Sequence, residues 1–240
     1  MISDDVLRGR IPRLGTITTG RGVEATSRSG NTYSRPTRAD SLVVHTDDGE
    51  LADAVQRVTG GTIETDSPTW GYDVITGRRE LDATLLPSGV RQHLEAWRTA
   101  QVARRCDGVT MTMRDGRPVN EPCACAAEIA AGSDRVCSPS TIAPVTLDLP
   151  VARLGVWEVR STSWGTAAAI KGAMQALAMV GVTSESVAGR LTMRERQVRT
   201  ADGSVYDVWE VAFAAHAVDT SSAAIEATDA PALDAGESRA

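Results

Sequence analysis

Apolar residues in this chain alternate between two spacings. A short apolar run, Ser41 to His45, reads as a strand and leads into Asp47 and Asp48, which can cap a helix predicted from about Gly49 to Val58. Gly60 and Gly61 end that helix. Three strand-like segments follow, around Thr62 to Thr65, Tyr72 to Thr76 and Leu81 to Leu86, with turns at Ser67-Pro68 and Thr76-Gly77 and a stop at Pro87. Val90, Leu94 and Trp97 then fall at helical spacing and predict a second helix. After a stretch rich in Gly, Pro and Asp comes a strand at Leu154 to Val159. A helix follows over Gly165 to Val180, with Ala167, Ile170, Met174, Leu177 and Met179 near one stripe and Gly181 as its stop. Leu191 to Val198 and Val205 to Val211 both alternate apolar and polar residues around Ala201 to Ser204, which predicts a long hairpin.

The ends lack such patterning. Residues 1–40 are rich in Gly, Ser, Thr and Arg and read as a flexible arginine-rich arm, with only Ile11, Leu14 and Ile17 available to dock on the body. From Val218 to Ala240 the chain is Ala, Ser, Thr, Asp and Glu with almost no large apolar residue, which predicts a disordered acidic tail. The expected fold is therefore α+β: a mainly antiparallel sheet with two or three helices over 41–217 and a cysteine-bearing insertion at about 104–139.

Composition narrows the function classes. Aromatic residues make up only 4% of the 240 positions, so the core must be aliphatic with five tryptophans as its large pieces. Lys171 is the only lysine among 25 basic residues. A formal net charge of -6 argues against coating nucleic acid by bulk electrostatics, which needs a concentrated basic face. The opening MISDDVLRGR has no basic-then-apolar leader pattern, and no apolar run approaches the roughly 20 residues of a membrane span. A cytoplasmic protein is expected, and there cysteines are more often reduced thiols or metal ligands than disulfides.

The candidate chemistry lies in those cysteines. Cys106 is separated by sixteen residues from Cys123, then by one from Cys125 and by eleven from Cys137. Four thiolates in a loop-rich segment suit a tetrahedral structural zinc, with Gly108, Pro122 and Pro139 giving turns and Arg104 and Arg105 offsetting the negative charge. Metal binding would supply folding energy that the segment cannot obtain from an apolar core. Four unconnected thiols and an iron–sulfur site are the competing readings.

Two enzymatic patterns come close and fail. His93-Leu-Glu95 with Pro122-Cys123-Ala-Cys125 approaches the zinc deaminase signature. That signature needs cysteines three apart on one face, whereas residues two apart on a helix diverge by about 200 degrees. Gly15 to Gly22 has the glycine spacing of a phosphate loop, but Arg21 and Gly22 replace its lysine and hydroxyl. His45 and His216 lack nearby nucleophiles and read as packing residues. The other non-enzymatic reading is a DNA-binding or transcriptional zinc module, for which Arg91, Arg98, Arg104, Arg105, Arg114 and Arg117 offer a local basic cluster interrupted by Asp107, Asp115 and Glu121.

Several segments together resemble the recombination directionality factors that accompany large serine integrases of Streptomyces and other actinobacterial phages. They are Arg10-Ile-Pro-Arg-Leu-Gly-Thr-Ile-Thr-Thr-Gly20, Gly60-Gly61, Arg104-Arg-Cys-Asp-Gly108, Pro122-Cys-Ala-Cys125, Cys137-Ser-Pro139 and Leu154-Gly-Val-Trp157, in the family's order over about residues 8–215. The resemblance implies a protein without catalytic residues. Such a factor binds the integrase on DNA, expectedly at its coiled-coil region, suppresses attP with attB joining, and permits attL with attR recombination so that the prophage excises. Little direct DNA binding is expected. Arg10, Arg13 and Arg21 of the arm, with Trp97, Arg104 and Arg105, are the candidate partner contacts, arginine and tryptophan being favoured interface anchors.

Overall fold

The computed structural model describes residues 11–216, apart from 66, 68, 99–100, 132–136, 183–184 and 200–202. The acidic tail expected from Val218 lies outside these residues, as does Arg10. Among the described residues the chain forms thirteen strands in one branched sheet, two long helices and one short helix, in line with the expected α+β class.

The strands begin earlier than the sequence pattern suggests. β1 (Arg13–Thr26) and β2 (Thr32–Thr46) pair antiparallel along most of their length, so what reads as an irregular arm is, from Arg13 onward, a hairpin. Only the inner halves bury apolar residues, Ile17 on β1 and Leu42, Val43 and Val44 on β2. The outer halves bury no apolar side chain and carry no alternation. Their strand character rests on threonine and valine propensity and on the turn that closes at Ser27 to Asn31, with Gly30 at a φ of 84°.

α1 (Gly49–Thr59) follows as predicted. The Asp48 carboxylate accepts from the amides of Glu50 and Leu51 at its start, and Gly60 ends it in the left-handed region at a φ of 73°. It packs Leu51, Ala52 and Val55 on the sheet formed by β2, β3 (Thr62–Glu64) and β4 (Tyr72–Ile75). β5 (Glu80–Leu85) comes next.

The helix expected around Val90, Leu94 and Trp97 is instead a strand, β6 (Arg91–Arg98). It pairs with β7 (Gln101–Cys106) on one edge and β10 (Ser138–Thr146) on the other. This tertiary pairing overrides the 3.6-residue spacing. β8 (Thr110–Arg114) and β9 (Arg117–Pro122) extend the branch, and α2 (Cys125–Ala130) closes it.

β11 (Val156–Ser161) lies antiparallel to β10 and parallel to β1, joining the first hairpin to the rest. β12 (Val187–Arg199) and β13 (Val205–Ala215) are the predicted long hairpin, and β12 docks on β5. α3 (Trp164–Met179) starts at the Ser163 cap and packs Ile170 and Leu177 inward against β13 and β10. Met179, expected near its buried stripe, is exposed. The main core gathers Ile17, Leu51, Leu85, Val145, Trp157, Ile170, Leu191 and Phe213.

Two glycines bear on this packing in opposite ways. A Cβ at Gly15 would lie 2.0 Å from the His45 carbonyl oxygen and 2.6 Å from the Trp157 ring, because β1 is squeezed between β2 and β11 there. At Gly172, on α3, nothing lies within 4 Å. Gly15→Ala is expected to destabilise the fold by about 1–3 kcal/mol. Gly172→Ala should stabilise it by about 0.5–1 kcal/mol, since glycine is costly inside a helix. Denaturant titration of both variants checks the signs; equal effects would contradict this packing.

Candidate functional site

The branch β6–β9 with α2 has a small core of its own. Its buried residues are Cys106, Met111, Cys125 and Cys137, with Leu94, Ala96, Val119 and Cys123 packed against them. Cys106 ends β7, Cys123 follows β9, Cys125 opens α2, and Cys137 precedes β10. Two local devices aim them inward. Asp107 accepts from the amides of Val109 and Thr110, at 2.8 and 2.7 Å, and Gly108 takes a φ of 98°, so the chain turns sharply just after Cys106. The Cys123 amide then donates to the Val109 carbonyl at 2.7 Å, which holds the second cysteine turn against the first.

The sulfur atoms of Cys106, Cys125 and Cys137 all lie within 4.8 Å of one another, and all four cysteines are free thiols. Cys106 and Cys125 are 3.7 Å apart. That separation is far too long for a disulfide, yet it matches the edge of a tetrahedron with metal–sulfur bonds of about 2.3 Å, roughly 3.8 Å. Cys123 is half-buried beside this trio and its sulfur accepts from the Cys125 amide at 3.4 Å. Burial, with contacts to the neighbouring thiols, pushes the Cys106 thiol up, so the metal-free cluster holds protons rather than charge there. A buried cluster of this donor set could hold a metal ion.

The two arginines beside Cys106 take different directions. Arg104 reaches α2 and pairs bidentately with Glu128, one contact at 2.7 Å, and also lies beside Cys137. The Glu128 hydrogen bond is the main reason that its guanidinium is held even more firmly charged. Arg105 turns to the opposite face, where its Nε and Nη2 donate to one oxygen of Glu95 at 2.9 and 2.7 Å. His93 shares that face, two residues away on the strand, with Nε2 2.8 Å from the same oxygen. The approach to a deaminase motif thus dissolves: Glu95 is engaged by Arg105 and His93, and the converging metal-type ligands among the described residues are all thiols. The glycines from Gly15 to Gly22 lie in β1, laddered to β2, and not in a loop ahead of a helix as a phosphate loop requires.

The same face opens into a groove of about 960 Å³ between the β1–β2 hairpin and strands β6, β7, β10 and β11. Arg13, Arg21, Trp97 and Arg105 line it together, although they are spread over ninety residues of sequence, and Arg160 and Trp70 join them. Trp97 is 58% exposed. Arg104 faces a second concavity, of about 860 Å³, that shares Trp97 and Glu95 with the first.

One element of this groove has no local signature in the sequence. Asp73 Oδ1 lies 2.7 Å from His45 Nδ1, and His45 Nε2 lies 2.8 Å from the Thr18 hydroxyl, at the groove wall. Asp73 and His45 are buried, and their positions 28 residues apart gave no pattern to read. The network fixes β1 to β2 and β4 next to the register shift between Thr18 and Gly20.

Glu158 anchors the groove's other end. Arg160 approaches it at 2.6 Å, Arg91 at 3.2 Å and Arg13 at 3.5 Å, while Arg13 also lies over the Trp70 ring at 5.2 Å. Burial acts to raise the Glu158 carboxyl, but the Arg160 hydrogen bond and the three positive charges outweigh it and hold the group below its ordinary 4.5. A depressed carboxylate contributes stability that is present above the ordinary value and lost as pH falls through the folded one. The melting temperature should therefore drop as pH falls from about 5 toward about 3. In Glu158→Gln the drop should be shallower, and identical pH profiles would refute this role.

A protein-family model described as Gp3-like, recombination directionality factor-like, matches residues 14–216. No curated protein and no solved structure matches the chain. The matched span takes in the cysteine cluster and, but for Arg13, both hairpins and the groove, and the chain belongs to the Gp3-like, recombination directionality factor-like family.

Proposed function

We propose that this protein binds a large serine integrase, at the integrase's coiled-coil region, and switches it from joining attP with attB to recombining attL with attR. The observation that carries the reading is family membership over 14–216. The gathering of Arg13, Arg21, Trp97 and Arg105 in one groove supports it, since these residue types are the usual anchors of a protein interface. The groove's Glu95 is committed to Arg105 and His93, which suits recognition better than proton transfer.

Such a switch is a matter of differential binding. The factor must bind the excision-competent arrangement of integrase more tightly than the other, and a gap of about 2–3 kcal/mol shifts the balance roughly thirty- to a hundred-and-fifty-fold. The decisive assay is in vitro recombination by the cognate integrase on both site pairs. Addition of the protein should inhibit attP with attB and activate attL with attR; no change in either reaction would overturn the reading.

Cys106, Cys123, Cys125 and Cys137 are assigned to one structural zinc ion. Four sulfur ligands would fill the coordination shell, leaving no position for water or substrate, so the ion would supply folding energy to the branch rather than chemistry. Elemental analysis of protein purified without added metal should find one zinc ion per chain. Cys106→Ser and Cys125→Ser should each lose it and melt earlier than the parent. A metal-free chain with an unchanged melt would remove the assignment.

A further inference from the structure

The outer part of the β1–β2 hairpin is ordered without apolar burial, and its composition differs from that of the chain around it. From the Gly20–Arg38 pair to the Thr26–Thr32 pair the two strands run as a ribbon about 20 Å long. Its turn is closed by its own groups: the Asn31 amide donates to the Ser27 hydroxyl at 3.0 Å, and the Gly30 amide to the Ser27 carbonyl at 3.0 Å. Arg21 on Glu64 and Arg38 on the Asp207 carbonyl fasten its base. Beyond the base, Thr26, Ser29, Asn31, Thr32 and Ser34 are exposed, and Tyr33 is the one large exposed apolar side chain among the ribbon's described residues.

Residues 20–38 hold four arginines and one carboxylate, Glu24, in a chain that carries -6 overall. Glu64 cancels Arg21 at the base. Arg28, in the turn, and Arg35, on β2, are exposed, and among the described residues neither forms an ion pair with a carboxylate. Arg35 lies opposite Val23 and shares its face with Tyr33 and Ala25, whereas Glu24 lies opposite Ser34 on the other face. The charge of these two guanidinium groups is therefore uncancelled where it stands. A protein partner is anchored by large apolar side chains buried at the centre of the contact, and this ribbon offers one. Arginines set among exposed hydroxyl and amide groups are instead the types that contact phosphate oxygens, and a two-stranded ribbon has a width that the major groove of DNA admits.

We infer that the outer β1–β2 ribbon lies along duplex DNA beside the bound integrase, with Arg28 and Arg35 on backbone phosphates. The inference rests on the reading of the protein as an integrase partner on attachment-site DNA, and adds a DNA contact to that protein contact. Two phosphates are few. Each one neutralised contributes about 0.9 to the log–log slope of affinity against salt, so the ribbon supplies a slope of about 2, where an independent DNA binder uses roughly 6–10 such contacts. The contact therefore forms when integrase holds the ribbon at high effective concentration against the duplex, which reconciles a DNA-facing arm with a chain of net charge -6. It reads backbone and not bases, and integrase sets its position.

The test measures the affinity of the full chain for its cognate integrase, free and assembled on attL DNA, across a salt series. The parent should bind the DNA-assembled form about tenfold tighter at low salt, and this advantage should fall with a log–log slope of about 2. The double variant Arg28→Gln with Arg35→Gln should keep its melt and its affinity for free integrase and lose the advantage. An advantage that survives in the variant overturns the inference. So does an equal loss of affinity for free integrase, which would make the ribbon a protein contact. A parent that binds integrase in neither form defeats the reading beneath. The ribbon is then judged on an unrelated duplex at low salt, where weak binding by the parent that the double variant loses supports the DNA contact and identical behaviour of the two overturns it.

Discussion

The backbone hydrogen bonding of β10 governs the architecture, because one edge of that strand must serve two partners. Along Ser138 to Ile142 it pairs with β6, and at Val145 and Thr146 it pairs with β5. Pro144 sits at the changeover, and its carbonyl accepts from the Leu86 amide at 3.0 Å on the β5 side. In an extended strand a residue's N–H and C=O face the same way, so the donor that proline lacks is missing from that same edge. The ladder cannot run unbroken past this point, and the sheet parts into a cysteine branch and the β5–β12–β13 branch. On the opposite edge the ladder to β11 continues from Thr141 to Val145 and ties both branches to the first hairpin. The groove lies on the cysteine-branch side of the parting, between β6 and β7 and the first hairpin, with β10 and β11 also lining it.

How far the sequence could be read depended on whether an element's surroundings matched its own pattern. α1 carries a cap, an apolar face and a glycine stop that agree with one another, and β12 and β13 alternate because one face is buried by α3 and the core. β6 carries conflicting information. Its Leu94 and Ala96 face a tiny second core while His93, Glu95 and Trp97 share the other face, but there the carboxylate is buried and the tryptophan exposed, so the period of two does not coincide with the usual inside–outside chemistry. The outer part of the first hairpin is unreadable for the opposite reason: it buries no apolar side chain, and what ties it to the body, Arg21 on Glu64 and Arg38 on the Asp207 carbonyl, is long-range and polar.

The candidate site divides in the same manner. The cysteines were legible because thiols in a loop-rich stretch have few other uses, and three of the four converge. Trp97 and the arginines were legible as residue types but not as neighbours, since their meeting depends on β1 lying parallel to β11, a contact across more than 140 residues. The pairing of His45 with Asp73 follows from the same kind of long-range register and has no short-range signal at all.

The cysteine cluster and the groove also constrain each other. A branch of four short strands and a six-residue helix offers Leu94, Ala96, Met111 and Val119 as its apolar packing, too little to order it by burial alone at about 25 cal/mol per Å². Adding apolar residues would require the outer positions of β6 and β7, which are the ones that carry Trp97, Val102 and Arg105 into the groove. Convergent thiols escape this conflict, because a few sulfur atoms concentrate the ordering energy in a small volume when they share a metal ion. The opposite face of the same two strands is then free to be polar, charged and exposed. The branch is one strand-layer thick, with its cohesion on one side of the backbone and Trp97 and Arg105 on the other.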